Sequence, residues 1–399
     1  MNILIVTQYF FPEDFKVNDI AFDFVKRGHK VTVFTAKPNY PKGRFYEGYN
    51  FFGKSSENIN GVDVIRTPIF PRFNGSGKFL IINYLSFIFF SFLYKKKVKG
   101  NFDIVFSHLP SPLTSALPAV WFKKKFNAKL YLWVLDLWPE SLQANTKIKD
   151  GFLIKKLNQL IKYIYNKADV ILISSKFFEN SILQKGITND TTIKYFPNWA
   201  EDIFIQECNE YVDLPKIEPG FNIMFAGNIG DSQDFDSILE AAKLTKDEKI
   251  NWLIVGDGRK LSWLKSEIQK NLLNNVYLLG RYPLKKMPSL FKIADAMLVS
   301  LKDSPTFSLT VPAKVQAYMA SSKIILGMFN GEGQDLINMN NCGLAVDAGD
   351  YIGLCANIKR IISMNESQKN IMETNSKNYY LENFSKKNLF DFLETDFKN

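Results

Sequence analysis

Hydrophobic positions in the first half of the chain form short runs that alternate with amphipathic stretches. The run NILIVTQYF is followed by helical spacing over residues 17–27, Gly28 ends that stretch, and KVTVFTA is the next run. The alternation continues through VDVIRTP, FDIVFSH, AKLYLWVLD and DVILISS. Apolar runs separated by helical stretches predict a parallel sheet with helices on both faces.

The second half repeats this organisation after a linker. Residues 201–220 are acidic, lack a period and contain two prolines. Strands are then predicted at FNIMFAG, NWLIVGDG and NVYLLG, with helices between them. We expect one Rossmann-like domain at residues 1–200, a second at 221–375, and a helical segment at 376–399 that packs back on the first. Because ligands of such sheets bind at the carboxyl ends of strands, the expected site is a cleft between the two sheets.

Residues 303–335 carry the densest candidate chemistry. The run DAMLV predicts a buried strand, and the spacing after the following loop predicts a helix that starts near Val311, with Pro312 in its first turn. The free amides of that turn and the charge of Lys314 predict an anion site. The run IILG and the glycines of NGEG predict a further strand and a loop that brings backbone close to a ligand. An ordinary strand-loop-helix unit explains the same local pattern.

Residues 79–94, FLIINYLSFIFFSFLY, have almost no strong polarity, and KKKVK follows directly. The stretch is short for a membrane-spanning helix, for which about 20 residues is usual. Three alternatives stay open: a buried crossover helix, a helix in the membrane interface, and a true span. WFKKKF and the lysine-rich residues 153–167 fit the second alternative, and they also fit ordinary solvated faces.

The charge of the chain is unevenly distributed. Residues 1–200 hold 28 Lys and Arg against 14 Asp and Glu, whereas the remainder holds 22 against 26. The basic half suits an anionic surface, either nucleic acid or a lipid leaflet. Because the three cysteines, Cys208, Cys342 and Cys355, and the two histidines lack metal-site spacing, we expect no disulfide, structural zinc or histidine metal centre. MNILIVTQYF is typical of a first strand, so we expect no secretion signal.

Ten segments resemble one known family, in the right order and over essentially the whole chain. They are QYFFPEDFKVNDIAFDFVKRGHKVTVFTAKPNYPKGRFYEGY, INYLSF, PSPLTSALPA, LDLWPESL, YFPNW, FAGNIGDSQ, IVGDGRK, YLLGRY, TVPAKVQAYMAS and NGEG. Through them the chain resembles the retaining GT-B glycosyltransferases of family four, and within that family the WbuB-like branch, which includes a proposed N-acetyl-L-fucosamine transferase of O-antigen synthesis. The resemblance implies an α/β GT-B fold of two Rossmann-like domains with parallel sheets facing an interdomain cleft.

The same resemblance implies an activity. A sugar would pass, with retention, from a nucleoside diphosphate sugar bound by the second domain to a lipid-linked saccharide bound by the first. The expected co-substrate is a UDP-sugar, with N-acetyl-L-fucosamine as a candidate sugar, and the expected acceptor is an undecaprenyl-diphosphate-linked saccharide. No cofactor, no obligate metal and no nucleic-acid partner are implied. We expect a cytoplasmic protein that is peripherally associated with the inner face of the cell membrane through its basic first domain.

Four positions depart from the wider family. Most members carry two glutamates eight positions apart, which align with Leu309 and Ala317 here. The arginine and lysine that most members place near the diphosphate fall close to Asn228 and Gln233. The same substitutions are typical of the WbuB-like branch, so the resemblance implies a changed donor site and not a dead one.

The remaining cations and glycines of the second domain are candidates for holding the donor. Lys314 accompanies the predicted helix N-terminus, whereas Arg259 and Arg281 are either further cations of the site or ordinary surface arginines. Together with the loop after IILG and the positions aligned above, the candidate donor-binding set is Gly227, Asn228, Gly230, Gln233, Gly256, Gly258, Arg259, Lys314, Glu332 and Gly333.

The candidate catalytic residues of the first domain are Asp136, Glu140 and His108. Asp136 ends an apolar strand, where it either orients a hydroxyl and stabilises positive charge on the sugar or caps the next helix. His108 also follows a strand. The loop after the first strand supplies the candidate acceptor-binding residues Glu13, Lys16 and Asn18, and Asn18 is also expected to cap the following helix.

Other classes stay open from the residues alone. An epimerase of the same architecture would need several titratable groups, and two histidines with a basic, apolar first domain argue against it. The absent glutamates favour a non-catalytic membrane-associated binding protein, whereas NGEG, Lys314 and Asp136 oppose it. A nucleic-acid binder would need a module that this sequence lacks.

Overall fold

The computed structural model describes residues 1–145, 151–206 and 210–399 of the chain. These residues form two compact units, one of Met1–Phe196 with Phe397–Asn399 and one of Pro197–Asp396. Cys208 and a short part of the predicted linker lie outside the described residues. The predicted domain limits and the packing of the last helical segment stay predictions.

The first unit is built on an eight-stranded sheet. Its strands are β1 (Asn2–Val6), β2 (Lys30–Ala36), β3 (Ser56–Ile59), β4 (Val62–Thr67), β5 (Ile104–Leu109), β6 (Lys129–Val134), β7 (Val170–Ile173) and β8 (Thr192–Tyr195). They stand in the order β3-β4-β2-β1-β5-β6-β7-β8, and only the edge pair β3 and β4 is antiparallel. The central strands are buried on both faces, which explains their continuous apolar runs.

Helices connect these strands. They are α1 (Val17–Lys26), α2 (Gly77–Tyr94), α3 (Leu117–Phe126), α4 (Glu140–Asn145), α5 (Phe152–Tyr165) and α6 (Phe178–Leu183). α1 buries Val17, Ile20, Ala21 and Phe24, the spacing expected of a helix with one apolar face. α3 ends at Asn127, whose φ of 51° is the left-handed conformation that commonly terminates a helix.

α2 has its polarity reversed. Its buried residues are Asn83, Ser86, Phe87 and Ser91. Beyond Gly77 and Lys78 in its first turn, its exposed residues are apolar: Ile81, Ile82, Leu85, Phe89, Phe92 and Leu93 are each between 45% and 61% exposed. The prediction of a buried crossover helix is therefore wrong, because the polar side chains of this helix face the protein and the apolar ones face outward. Among the described residues one helix, extended to Gly77–Lys97, is long and apolar enough to cross a membrane.

The second unit contains a six-stranded, fully parallel sheet. Its strands are β9 (Phe221–Ala226), β10 (Ile250–Val255), β11 (Val276–Gly280), β12 (Ala296–Ser300), β13 (Ile324–Met328) and β14 (Gly343–Val346), in the order β11-β10-β9-β12-β13-β14. The order reverses direction between β9 and β12. Such a switch point is where open α/β sheets bind ligands, at the carboxyl ends of the strands.

The helices of the second unit begin with α7 (Phe235–Leu244), which Asp234 caps by accepting the amide of Ser237. The others are α8 (Leu261–Lys270), α9 (Met287–Lys292), α10 (Pro305–Ser308), α11 (Ala313–Ala320), α12 (Glu332–Met339), α13 (Tyr351–Ser363), α14 (Glu366–Asn383) and α15 (Lys386–Lys398). The two Rossmann-like units confirm the predicted α/β fold class.

The local predictions around α11 need two corrections. The helix begins at Ala313 and not near Val311, because Val311 precedes a proline, and that position is disfavoured in the helical region. Pro312 is the N-cap with ψ of 133°. Glu332 and Gly333, predicted in a loop, form the first turn of α12, because the chain already turns at Gly331, whose φ is 99°.

Candidate functional site

A pocket of about 340 Å³ lies at the carboxyl edge of the second sheet. It is formed where the loops after β9, β10 and β11 meet. The lining residues are Gly227, Asn228, Val255, Gly256, Asp257, Arg281, Tyr282 and Met287. Gly227, Asn228, Gly256 and Arg281 were candidates from the sequence, whereas Val255, Asp257, Tyr282 and Met287 were not. A signal for Asp257 and Tyr282 exists, because Asp257 lies at the end of the predicted run NWLIVGDG and Tyr282 lies two residues after NVYLLG.

Two glycines allow the loops of this pocket to approach each other. A Cβ on Gly256 would lie 1.8 Å from the carbonyl oxygen of Gly227, and φ at Gly256 is 145°. A Cβ on Gly227 would lie 2.6 Å from Cε of Lys314, and φ there is 149°. Both positions require glycine, since a side chain would collide and would be strained in this backbone conformation. The loops are also joined by the amide of Ile229, which donates to Asp257 at 2.8 Å.

Lys314 is a cation held beside this pocket without a carboxylate. Its Nζ donates to Oε1 of Gln233 at 2.7 Å and lies 3.7 Å from the ring centroid of Phe225. No acidic side chain pairs with it among the described residues. Burial without such a partner lowers the pKa of Lys314 to about 7. A bound anion would restore the charged form, so the ammonium is placed to respond to a phosphate.

Gln233, which falls close to the lysine of the wider family, holds the ammonium of Lys314. The side chain is 8% exposed and its amide nitrogen also donates to Oγ of Ser232 at 3.1 Å. Gln233 thus contributes no charge of its own and fixes the cation of Lys314. Leu309, at the C-cap of α10, and Ala317, within α11, supply no carboxylate.

Gly331 and Gly333 pack against the segment that leads into α11. A Cβ on Gly331 would lie 1.9 Å from the carbonyl oxygen of Ser308, and one on Gly333 would lie 3.0 Å from Cδ of Pro312. Glu332 between them is 6% exposed. These contacts give the two glycines a packing role, which differs from the predicted approach of backbone to a ligand. Gly258 likewise packs against the carbonyl of Ile229, and Arg259 is exposed.

Asp136 follows β6 at the carboxyl edge of the first sheet and is half-buried. Its carboxylate accepts from the hydroxyl of Ser141 and from Nε1 of Trp138 at 3.1 Å. Burial is the largest cause that raises the pKa of Asp136 above its usual value, and these hydrogen bonds oppose it. The groups that donate to the Asp136 carboxylate are side chains and not amides of α4, and α4 begins only at Glu140. Asp136 therefore does not cap that helix.

Glu140 and His108 are engaged with the protein. Glu140 forms an ion pair with Nζ of Lys185 at 2.6 Å, which ties α4 to the end of α6. His108 is 1% exposed, its Nδ1 lies 3.1 Å from Oγ1 of Thr7, and its ring lies 5.3 Å from that of Trp133. Burial lowers the pKa of His108 to about 3, so the imidazole is neutral near pH 7. A neutral ring shielded from solvent fits positioning better than proton transfer.

Glu13 joins three loop amides. Its carboxylate accepts from the amides of Phe10 at 3.2 Å, Asn39 at 2.8 Å and Tyr40 at 2.7 Å, and the side chain is 1% exposed. Burial is the main cause that raises the pKa of Glu13 to about 7. Glu13 therefore holds the loop after β1 against the loop after β2 through these amides, and its role in acceptor binding stays a prediction.

Asn18 and Lys16 occupy the start of α1. Asn18 accepts from the amide of Phe11 at 3.1 Å and donates to the carbonyl of Glu13 at 2.7 Å. The prediction that Asn18 caps α1 is wrong, because the N-cap is Lys16 and no side-chain hydrogen bond caps this end. The Asn18 amide instead fixes the backbone of the preceding loop. Lys16 is half-buried.

Comparison with known proteins identifies two family matches. The family described as Glycosyltransferase Family 4 matches residues 17–200, and the family described as Glycosyl transferases group 1 matches residues 212–378. The chain is 26% identical over 333 residues to the probable glycosyltransferase WbjE of Pseudomonas aeruginosa. This alignment covers 79% of this chain and 82% of WbjE. The chain is 25% identical over 320 residues to the putative colanic acid biosynthesis glycosyl transferase WcaI of Escherichia coli K12, with 76% and 77% covered.

One solved structure gives the fold at full coverage. An E. coli structure described as trehalose-6-phosphate bound with UDP-2-fluoro glucose superposes with a TM-score of 0.72 at 11% identity, and 100% of this chain and 99% of that chain are covered. The two Rossmann-like units, together with their similarity to this structure, define a protein of the GT-B fold. The chain is a group 1 glycosyltransferase whose N-terminal half matches Glycosyltransferase Family 4. This assignment favours a transferase over the epimerase, the non-catalytic binding protein and the nucleic-acid binder.

Proposed function

We propose that the protein transfers a sugar, with retention, from a UDP-sugar to a saccharide linked to a lipid diphosphate, as a step in the synthesis of a surface polysaccharide. One curated relative supports this class of pathway, because it is described as a putative colanic acid biosynthesis glycosyl transferase. N-acetyl-L-fucosamine is the sugar we propose to test first. The acceptor proposed is undecaprenyl-diphosphate-linked.

The observation that carries the proposal is Lys314. A lysine without a carboxylate partner lies in the first turn of α11 and touches Gly227 of the pocket. The N-terminus of a helix favours negative charge, and a lysine ammonium adds a full positive charge. A nucleoside diphosphate supplies the complementary anion, and the E. coli neighbour was solved with a UDP-sugar analogue. The pocket beside Lys314 is of the size that small-molecule sites commonly have.

The chemistry requires charge stabilisation more than a strong base. As the bond between the sugar and the diphosphate breaks, negative charge grows on the leaving phosphate, and Lys314 would offset it. We assign the acceptor hydroxyl to Asp136, which would orient it by accepting a hydrogen bond. The leaving phosphate itself would take the acceptor proton on the same face of the sugar, which yields retention without a protein nucleophile.

The reversed polarity of α2 supports an activity at a membrane surface. Its outward apolar face is followed by Lys95–Lys97, and α3 carries Lys123, Lys124 and Lys125 in its last turn. An apolar helix face beside basic residues is what an anionic leaflet attracts. We therefore place the enzyme on the cytoplasmic face of the membrane, where it meets lipid-linked acceptors. We propose that no metal is obligatory, which assays with a chelator would test.

Transfer assays test the proposal directly. Purified protein is incubated with UDP-, GDP- and dTDP-sugars and a synthetic lipid-diphosphate-linked saccharide, and the anomeric configuration of the product is determined. Lys314→Ala and Asp136→Ala are compared with wild type, and Lys265→Ala, an exposed lysine of α8, is the matched control. The proposal is supported if wild type and Lys265→Ala transfer a sugar from a UDP-sugar with retention and if Lys314→Ala and Asp136→Ala do not. No transfer from any donor, or an inverted product, contradicts it.

A further inference from the structure

Arg72 lies where three loops meet at the carboxyl edge of the first sheet. Arg72 follows β4 in the sequence. Its guanidinium lies 5.9 Å from the ring centroid of Tyr9, in the loop after β1, and 5.0 Å from that of Tyr40, in the loop after β2. Its Nη2 donates to the hydroxyl of Tyr84 on α2 at 3.3 Å. The same edge is where ligands of parallel sheets bind.

The guanidinium is held in place without charge compensation. No carboxylate pairs with Arg72 among the described residues, and its Nε is buried with no hydrogen-bond acceptor there. Arg66 shows the contrast, because it is paired with Glu57. Arg72 is half-buried and in contact with aromatic rings, so part of its hydration is lost and no protein anion replaces it. An arginine whose charge is not offset by a carboxylate of the described residues is suited to an external anion, which the guanidinium would meet through its Nη atoms.

A neutral polar network fixes the backbone around Arg72. The amide of Arg72 donates to Oδ1 of Asn39 at 3.3 Å, and Asn39 also accepts from Asn83 of α2 at 3.4 Å. Asn83 accepts from Gln8 at 2.7 Å. Glu13 holds the amide of Asn39, as described above. These contacts pre-organise the arginine, while the carboxylate of Glu13 is engaged by backbone amides and does not pair with the guanidinium.

The position of Arg72 also connects it to the apolar face of α2. Tyr84, which it contacts, lies on α2, and Phe73 next to it packs on Phe79 of the same helix with ring centroids 4.9 Å apart. The outward residues of α2 therefore begin beside this arginine. A ligand that carries a lipid on one side and a phosphate on the other would match both features. Its saccharide would extend along the carboxyl edge of the sheet.

We propose that Arg72 binds the diphosphate of the lipid-linked acceptor, and so sets the preference of this enzyme for acceptors that carry a diphosphate. The proposal rests on the proposed transferase function and names a residue of its acceptor site. The planar guanidinium can donate two parallel hydrogen bonds to phosphate oxygens, which a lysine ammonium cannot reproduce. Phospholipid head groups share the phosphate chemistry, and the vesicle experiment below separates the two sources.

The kinetic test compares three acceptors that carry the same saccharide on the same lipid, through a diphosphate, a monophosphate or an uncharged ether. Arg72→Gln is expected to raise KM for the diphosphate acceptor about 10- to 100-fold, in line with the loss of charge-assisted hydrogen bonds, while KM for the ether and for the donor stay unchanged. Arg72→Lys should recover part of the loss. Arg44→Gln, which removes an exposed arginine of the same unit, is the control and should behave as wild type. An equal effect on all three acceptors would overturn the proposal.

A binding experiment gives a readout that does not depend on transfer. Wild type and the three variants are mixed with phosphatidylcholine vesicles that contain either undecaprenyl diphosphate or enough phosphatidylglycerol to match its charge. Wild type should bind the diphosphate vesicles more tightly, and Arg72→Gln should lose that difference. If wild type shows no preference, or if Arg72→Gln weakens binding to both vesicles equally, the proposal is wrong. A preference that depends on Arg72 in a protein that transfers no sugar would keep this proposal and reject the proposed function.

Discussion

The lowered pKa of Lys314 makes UDP binding depend on pH. Burial brings the pKa of the ammonium to about 7 in the free protein. A diphosphate beside it favours the charged form, so the pKa in the complex rises. Between the two pKa values the binding of UDP must take up a proton, and the affinity for UDP must fall as pH increases above about 7.

The size of the effect follows from the two pKa values. If the complex restores the ordinary pKa of 10.5, the affinity falls about tenfold for each pH unit between 8 and 10. From pH 6 to pH 9 we expect a total loss of about 10- to 100-fold. The stability of the free protein should change in the opposite sense. The unfolded chain holds the Lys314 proton up to its ordinary pKa, so the free energy of unfolding rises between about pH 7 and pH 10.

Calorimetric titration with UDP measures both consequences. Dissociation constants are determined from pH 6 to pH 9.5, in pairs of buffers whose ionisation enthalpies differ, and the difference in heat gives the number of protons taken up. Wild type should approach one proton per UDP near pH 8.5. Lys314→Met should bind weakly at every pH with no proton uptake, and Lys265→Met, at an exposed position, should match wild type.

Two results would refute this reasoning. One is a UDP affinity in wild type that does not change between pH 6 and pH 9. The other is proton uptake that persists in Lys314→Met, since the titrating group would then be a different residue. Either outcome would also remove the main support for placing the diphosphate beside α11.

Two further predictions concern the first unit. Leu85→Gln combined with Phe89→Gln should reduce binding to anionic vesicles at least tenfold, because two apolar side chains no longer enter the bilayer. The free energy of unfolding should change by about 0.5 kcal/mol or less, since both side chains are exposed. Vesicle flotation measures the binding, and unchanged binding would contradict the membrane proposal. Glu13→Gln should lower the free energy of unfolding by about 1–3 kcal/mol, because a buried amide loses its acceptor, whereas Asp14→Asn at the adjacent exposed position should be close to neutral in thermal or denaturant unfolding.

The fold could be predicted because its signals are local. Continuous apolar runs mark the buried strands of both sheets, and each of the eleven predicted runs overlaps a strand of the structure. The short strands β3, β8 and β14 were missed, because SENI, TIKY and GLAV have no long apolar run and take their conformation from a neighbouring strand. The start of α11 was missed for a different reason, since Pro312 is equally compatible with the N-cap and with the first turn.

The roles of the polar residues could be predicted less well, because they depend on partners distant in the sequence. Glu13 and Asp136 have the same local signature, a carboxylate shortly after a buried strand. In the structure Glu13 is surrounded by three backbone amides, whereas the carboxylate of Asp136 keeps side-chain partners and partial exposure. Arg72 gave no signal at all, since an arginine after a strand is ordinary until its lack of a carboxylate partner becomes visible.

In the proposed donor site, Lys314 and Gln233 would replace a charged residue of the wider family and keep its chemistry. A lysine on the loop after β9 would reach a phosphate from a flexible segment, whereas Lys314 extends from the first turn of a helix and is fixed by Gln233. The helix dipole and the ammonium then act at one point, and the cation is already positioned before the ligand arrives. The cost is a lowered pKa, because the same burial that positions the ammonium also disfavours its charge. A site built in this way would bind its anion and recover its proton in a single step. Under the proposed function, the charge that stabilises the leaving phosphate would then be fully present only when the donor is bound.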